Sequence, residues 1–398
     1  MVSADDLPAR LERLAEVVSG LSAGAAERDA RHILPTRHLS DLLAAGVGAL
    51  RVPPEFGGAG AEVSVLARVL IDIAAADSNL AQVLRGHSGL VEILCQAAPG
   101  PARDSLLRAA AGGAFFGPAG TETNTSSLNS LSATLEHAGD HYLLNGRKFY
   151  TTGSLYADWL NVLVVVDGEF VSALVPRHCA GVTIVDDWDG FGQRLTASGT
   201  AVFEDVWVDP DYLLHHRNPL LNDYMEAFYQ FVLSAVQAGI VQAGANDAAA
   251  LVRSRTRSYP LASTPEPAQD PQVLQIAGEV AAKAYTARAT VLLLARTLDE
   301  FAADPAPHRA EQALLDSAAT QVTNTDLAGA ATWRLFDAGS ATAVRAAAGL
   351  DRHWRNARTI SSHNPAAYKA ALIGDHTVNG TAPRSYLNSL AAERADRT

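Results

Sequence analysis

Apolar residues recur at helical spacing through the first 112 or so positions of this 398-residue chain, in "LPARLERLAEVVSGL", "RHLSDLLAAGVGAL" and "VSVLARVLIDIAAADSNLAQVLRGHSGLVEIL". The stretch "VPPEFGGAGAE" (52–62) interrupts them as a proline- and glycine-rich loop. From 113 to 216 the period shortens to two. There "HYLLNGRKFYTTG" contains Asn145-Gly146, a pair that favours a two-residue hairpin, and "WLNVLVVVDGEFVSALVP" sets Asp167-Gly168 between two β-branched runs. With "VTIVDDW" and "GTAVFEDVWV" these predict short antiparallel strands closing into a small β-barrel or sandwich. From 217 onward helix returns in "FVLSAVQAGIVQAGANDAAALVRSR" and "PQVLQIAGEVAAKAYTARATVLLLARTL", separated by the four prolines of "YPLASTPEPAQDP". Segments around 310–335 and 338–358 bring the count to four long helices, the pattern of a bundle. The predicted fold is mainly α with a central β domain: helices over 1–112, a β-barrel over 113–216 and a helical bundle over 217–398.

Composition narrows the function. A net charge of −12 excludes nucleic acid as the partner, since phosphate binding needs a basic face. Cys95 and Cys179 stand far apart and read as small buried hydrophobes of a reduced, cytoplasmic protein. The N-terminus lacks the pattern of a signal peptide, and no run reaches the roughly 20 apolar residues of a membrane span. No metal site is expected: none of the 12 histidines falls in a ligand spacing, and the adjacent His215-His216 would diverge on a helix into solvent. There is no G-x-S-x-G elbow, and "GFGQRL" (190–195) lacks the third glycine of a dinucleotide loop. Any chemistry must therefore use another cofactor or side chains alone.

Four segments, in order, resemble the acyl-CoA dehydrogenase superfamily: "GVGALRVPPEFGGAG" (46–60), "GRKFYTTG" (146–153), "GFGQRLTASGTAVFEDVWV" (190–208) and "VRSRTRSYP" (252–260). The resemblance covers nearly the whole chain. It implies the acyl-CoA dehydrogenase fold, with a flavin between β domain and bundle, usually in a homotetramer. Dehydrogenases of this superfamily use a glutamate base, yet no glutamate occurs between Glu311 and Glu393. The segment matching the base, "RNARTISSHNP" (355–365), offers Ser362 and His363. The other known location matches Tyr229 and Gln230, one turn from Glu226. With "DDWDGFGQR", that segment is closer to the two-component (group D) flavin-dependent monooxygenases, the sulfur-compound oxygenases especially. That branch takes reduced flavin, FMN or FAD, from a separate NAD(P)H-dependent flavin reductase by diffusion. It adds O2 at C4a, and the resulting hydroperoxide oxygenates a small substrate, here expected to be apolar or aromatic.

The resemblance also implies residue roles. His363 would manage a proton with a pKa near neutrality, where dehydrogenases keep their glutamate. His87 in "LRGHSGL" would face the substrate, and Thr152 would reach the flavin N5 region. Tyr150 and Thr151 would wall the isoalloxazine, and Trp188 would cover it. Arg194 and Ser198 belong to a phosphate-facing loop, while Arg255 and Arg257 match a region that reaches a neighbouring subunit's cofactor. Two positions depart from the branch: Pro118 where an asparagine often stands, and Ile360 where a second histidine can occur. The rival readings are an FAD-dependent acyl-CoA dehydrogenase using Glu226, and a helical scaffold that has lost its flavin.

Overall fold

A computed structural model describes residues 7–122 and 131–395. Six helices open the chain: α1 (Leu7–Leu21), α2 (Ala25–Arg31), α3 (Thr36–Ala44), α4 (Val63–Ala76), α5 (Ser78–Gln96) and α6 (Pro101–Ala111). Asp77 starts α5 by accepting the Asn79 N–H at 3.1 Å, satisfying one orphan donor of the first turn. Nearly every residue of α5 is buried, so this helix is a central post of the molecule.

Eight strands follow among the described residues: β1 (Phe116–Ala119), β2 (Thr134–Ala138), β3 (His141–Lys148), β4 (Trp159–Val166), β5 (Glu169–Pro176), β6 (Val182–Val185), β7 (Thr200–Val208) and β8 (Leu213–His215). They form two four-stranded sheets, ordered β1-β4-β5-β8 and β2-β3-β7-β6. Alternate residues of both sheets, such as Leu144, Val162 and Phe203, join one core. The Asp167-Gly168 hairpin forms as expected, with φ of 50° and 82° and Val166 opposite Glu169. Asn145-Gly146 makes no turn. It lies inside β3, where the register shifts between Leu144 and Gly146 and Gly146 takes φ 141°. The extra residue produces a bulge, and pairing with both β2 and β7 outweighs the local turn preference. Nor are all strands antiparallel: β1 runs parallel to β4.

The remaining helices are α7 (Pro219–Ser254), α8 (Pro271–Ala303), α9 (Pro307–Gly339), α10 (Asp351–Ser361), α11 (Ala366–Asn379) and α12 (Tyr386–Ala395). Each of α7, α8 and α9 begins with proline, whose missing N–H costs nothing at a first helical position. The fourth long helix expected over 338–358 is absent. Ser340, at φ 50°, ends α9, two 3₁₀ turns follow, and α10 has only 11 residues. Packing against α7 and α8 falls instead to α4, from the first helical region. The regions are also stitched by a buried triad: Arg51 donates twice to Glu92 at 2.9 Å, and Tyr224 Oη donates to the same carboxylate at 2.8 Å. No helix among the described residues is long and apolar enough to cross a membrane.

Candidate active site

The loop from Asp186 to Gly199 connects β6 to β7 and is pinned where the three regions meet. Gln193 N–H donates to Asn356 Oδ1 at 2.7 Å, and Leu195 N–H donates to Asn79 Oδ1 at 3.1 Å. Arg355 of α10 donates to the Phe191 carbonyl at 2.8 Å and pairs with the buried Asp29 carboxylate at 2.5 Å. Gly192 presses against α10 so closely that an added Cβ would lie 2.1 Å from the Arg355 carbonyl oxygen. Gln193 and Ala197 hold left-handed backbone at φ 49° and 46°, unusual for residues with a Cβ. Strain of this kind persists only where the surroundings over-determine it.

On this loop Ser198 Oγ bonds to both Thr152 Oγ1 (2.7 Å) and Thr196 Oγ1 (2.8 Å), and Thr196 donates on to the Gln193 carbonyl at 2.8 Å. Beside the hydroxyls stand two aromatic rings. Tyr150 is 56 % exposed at φ 56°, edge-on to Trp188 with centroids 6.1 Å apart. Trp188 is locked by donating Nε1–H to the Gln193 carbonyl at 2.9 Å. Phe191 and Trp354 stack nearby at 5.9 Å, both partly exposed. Thr152, Ser198, Tyr150 and Trp188 thus come together as a shelf of hydroxyls and exposed rings, a donor set that fits a planar, amphipathic flavin. Thr151 belongs to the support beneath: its hydroxyl and N–H both donate to the Gly199 carbonyl, at 2.9 and 3.2 Å.

The expected arginines are less uniform. Arg194 donates to the Asp29 carbonyl at 2.7 Å and Arg255 to the Ala338 carbonyl at 2.8 Å, so each is tied into its own chain. Arg257 is exposed, in the segment after α7.

A cavity of about 700 Å³ opens between β1, β4, α5, α7 and the chain after α10, and shares with the shelf the helix α5, whose Asn79 holds the loop and whose Arg85 lines the cavity. Its lining is mostly apolar, with Pro118, Leu163, Met225 and Tyr229 among the walls. At Gly89 an added Cβ would meet the Tyr229 ring at 2.0 Å, so only bare backbone lets α5 approach α7 there. Glu226, the rival dehydrogenase base, lines the cavity with both oxygens occupied: Lys369 Nζ donates to one at 2.5 Å and the Tyr386 N–H to the other.

His363 follows α10 with its side chain still solvent-accessible, yet protein surrounds the cleft it occupies. Enclosure first, and the Arg85 charge second, push its pKa down to about 3. The expected near-neutral histidine is therefore corrected to one that is neutral at physiological pH. His87 is not at the cavity. It is 1 % exposed, donates Nε2–H to the Gly48 carbonyl at 2.9 Å, accepts the Phe116 N–H at 3.2 Å on Nδ1, and stacks on Phe115. Burial lowers its pKa to about 4, and both ring nitrogens are spent on the core. The residues of α5 that do line the cavity are Ile93 and, two positions before His87, Arg85. Its apolar surroundings, with no acidic residue three or four positions away, were the signal in the sequence.

His216 was also missed. His215 and His216 lie at the end of a strand, not on a helix, so alternation sends His215 outward and His216 into the cavity. There Ser172 Oγ bonds His216 Nε2 at 2.8 Å, and burial, with His215 adjacent, lowers its pKa to about 4. No metal-binding cluster occurs among the described residues.

Models of the acyl-CoA dehydrogenase N-terminal, middle and C-terminal domains match residues 13–113, 118–206 and 231–367. The chain belongs to the acyl-CoA dehydrogenase family. Dibenzothiophene monooxygenase from Rhodococcus qingshengii is 30 % identical over 391 residues, covering 91 % of each chain. The probable FMNH2-dependent monooxygenase SfnC of Pseudomonas putida is 27 % identical, over 92 % of this chain and 94 % of that one. The FMN-bound crystal structure of TdsC from Paenibacillus sp. A11-2 superposes with a TM-score of 0.89 at 28 % identity, over 95 % and 99 % of the chains. These likenesses set the chain among the flavin-dependent monooxygenases of its family.

Proposed function

We propose that this protein is a two-component monooxygenase that receives reduced FMN from a separate NAD(P)H-dependent flavin reductase and oxygenates a small substrate with an apolar or aromatic body. The chemistry that reduced flavin supplies when bound is activation of O2 and delivery of one oxygen atom. The chain's residues do the rest. Tyr150, Trp188, Thr152 and Ser198 hold and orient the cofactor, and Pro118, Leu163 and Met225 exclude water from the adjoining cavity. His363, neutral with one N–H to donate, holds a proton beside the reacting centre without introducing a charge. Arg257 would reach toward a second copy's cofactor. The exposed Tyr285, Leu293 and Trp333 on α8 and α9 supply an apolar face that a homotetramer would cover. A cytoplasmic site of action follows from dependence on a reductase partner.

One observation carries the choice against dehydrogenation. The position of the base holds a neutral histidine, and the alternative carboxylate, Glu226, is held by Lys369 and by the start of α12. The test compares two titrations. Reduced FMN, added anaerobically, is expected to bind more tightly than oxidised FMN. Acyl-CoA thioesters added to protein with oxidised FAD are expected to leave the flavin spectrum unchanged, and bleaching would favour the dehydrogenase.

A further inference from the structure

Among the cationic groups lining the large cavity, Arg85 is set apart by lacking a carboxylate. Lys369 is neutralised by Glu226 at 2.5 Å, and His216 is held neutral. Arg85 donates Nε–H to the Tyr229 carbonyl at 3.3 Å, and its guanidinium lies 4.8 Å from the Tyr229 ring centroid. Nη1 and Nη2 have no protein partner among the described residues, and neither is sealed from the cavity. Burial lowers the pKa of this group to about 10, so it stays charged at neutral pH. The lining therefore carries one uncompensated positive charge, with two N–H edges of a rigid fork facing empty space.

An unpaired cation in such surroundings is destabilising. The ring of Tyr229 offsets part of that and holds the fork in place. A neutral, wholly apolar substrate would bury the cation further and leave its donors unmet. A substrate with an acidic group would receive two parallel hydrogen bonds and cancel the charge. The apolar walls contributed by Leu163, Met225 and Tyr229 would then surround the remainder of the molecule.

We infer that the substrate is a small organic anion, a carboxylate or sulfinate on an apolar body, whose acid group is gripped by Arg85. This rests on the monooxygenase reading and gives that site its specificity determinant. An anion there also removes the charge that depresses His363, so substrate binding is expected to raise the proton affinity of the imidazole.

The test uses matched probes: benzoate against benzamide, and benzenesulfinate against methyl phenyl sulfoxide. Their binding is measured by calorimetry on the full-length protein, on Arg85→Met and on Arg85→Lys. Each anion is expected to bind wild type at least about tenfold more tightly than its neutral partner, as charged hydrogen bonds allow. That preference should vanish in Arg85→Met and return in part in Arg85→Lys. If no anion outbinds its neutral partner, or if the preference survives Arg85→Met, the assignment is overturned. Reduced FMN titrated separately into wild type decides the cofactor reading, so the two failures are distinguishable.

Discussion

The shelf and the cavity share α5, through Asn79 and Arg85, yet they are built on opposite terms. On the shelf, backbone and side-chain polar groups are bonded in place before any ligand arrives. Asn356, Asn79 and Arg355 fix the loop, and the Thr152–Ser198–Thr196 hydroxyls bond one another. In the cavity, the guanidinium fork of Arg85 has Tyr229 as its one bonding partner among the described residues. On the proposed assignment, the cofactor is met by a preorganised surface, whereas the substrate is selected by what the pocket leaves unsatisfied.

Two arginines make the contrast measurable. Arg355→Met leaves the Asp29 carboxylate, 4 % exposed, without its cation and is expected to cost about 3–4 kcal/mol in urea unfolding. A loss below about 1 kcal/mol would mean that the shelf does not depend on that pair.

Histidines offer a second contrast, between His87 with both ring nitrogens bonded in the core and His216 and His363 outside it. His87, with a folded pKa near 4, lies below its unfolded value near 6.5, so the unfolded chain binds more protons between those pH values. Its contribution, on the order of 3 kcal/mol, is fully present above pH 6.5 and is lost as pH falls toward 4. Melting temperature recorded from pH 7 to 4.5 should fall steadily, and a flat profile would contradict the burial assigned to this ring. His363 and His216 are neutral too, so ligand-free protein should show no histidine titration at either between pH 6 and 8 by NMR.

Overfilling the shelf is expected to act more gently. Gly192→Ala forces the loop off α10, at about 2 kcal/mol and a reduced-FMN affinity lower by about tenfold or more. Unchanged affinity would remove the loop from the cofactor site. The smallest effect should run the other way. Arg85→Met removes an unpaired cation and is expected to leave unfolding stability unchanged or raise it by about 1 kcal/mol.

Much of the shelf was reached through the family resemblance, whose matching segments are local. "FYTTG" and "GFGQRLTAS" are contiguous, and the change of hydrophobic period marks where helices give way to strands. What escaped depended on direction or distance. His87 and Arg85 are two residues apart, about 200° around the helix, so only one can face the cavity, and spacing alone does not say which. Asn145-Gly146 has the composition of a turn, but long-range pairing with β7 drew it into a strand. His215-His216 looked solvated because the short β8 was not foreseen, and in a strand neighbours point opposite ways. The bundle's fourth partner, α4, comes from the far end of the chain, where no local pattern announces it.

The most direct test of the central claim is to load the protein anaerobically with reduced FMN and mix it rapidly with oxygenated buffer, following flavin absorbance. A shelf that holds the cofactor away from water should make reoxidation markedly slower than that of free reduced FMN, with hydrogen peroxide released on the same slow timescale when substrate is absent. Reoxidation at the rate of free flavin would contradict the account.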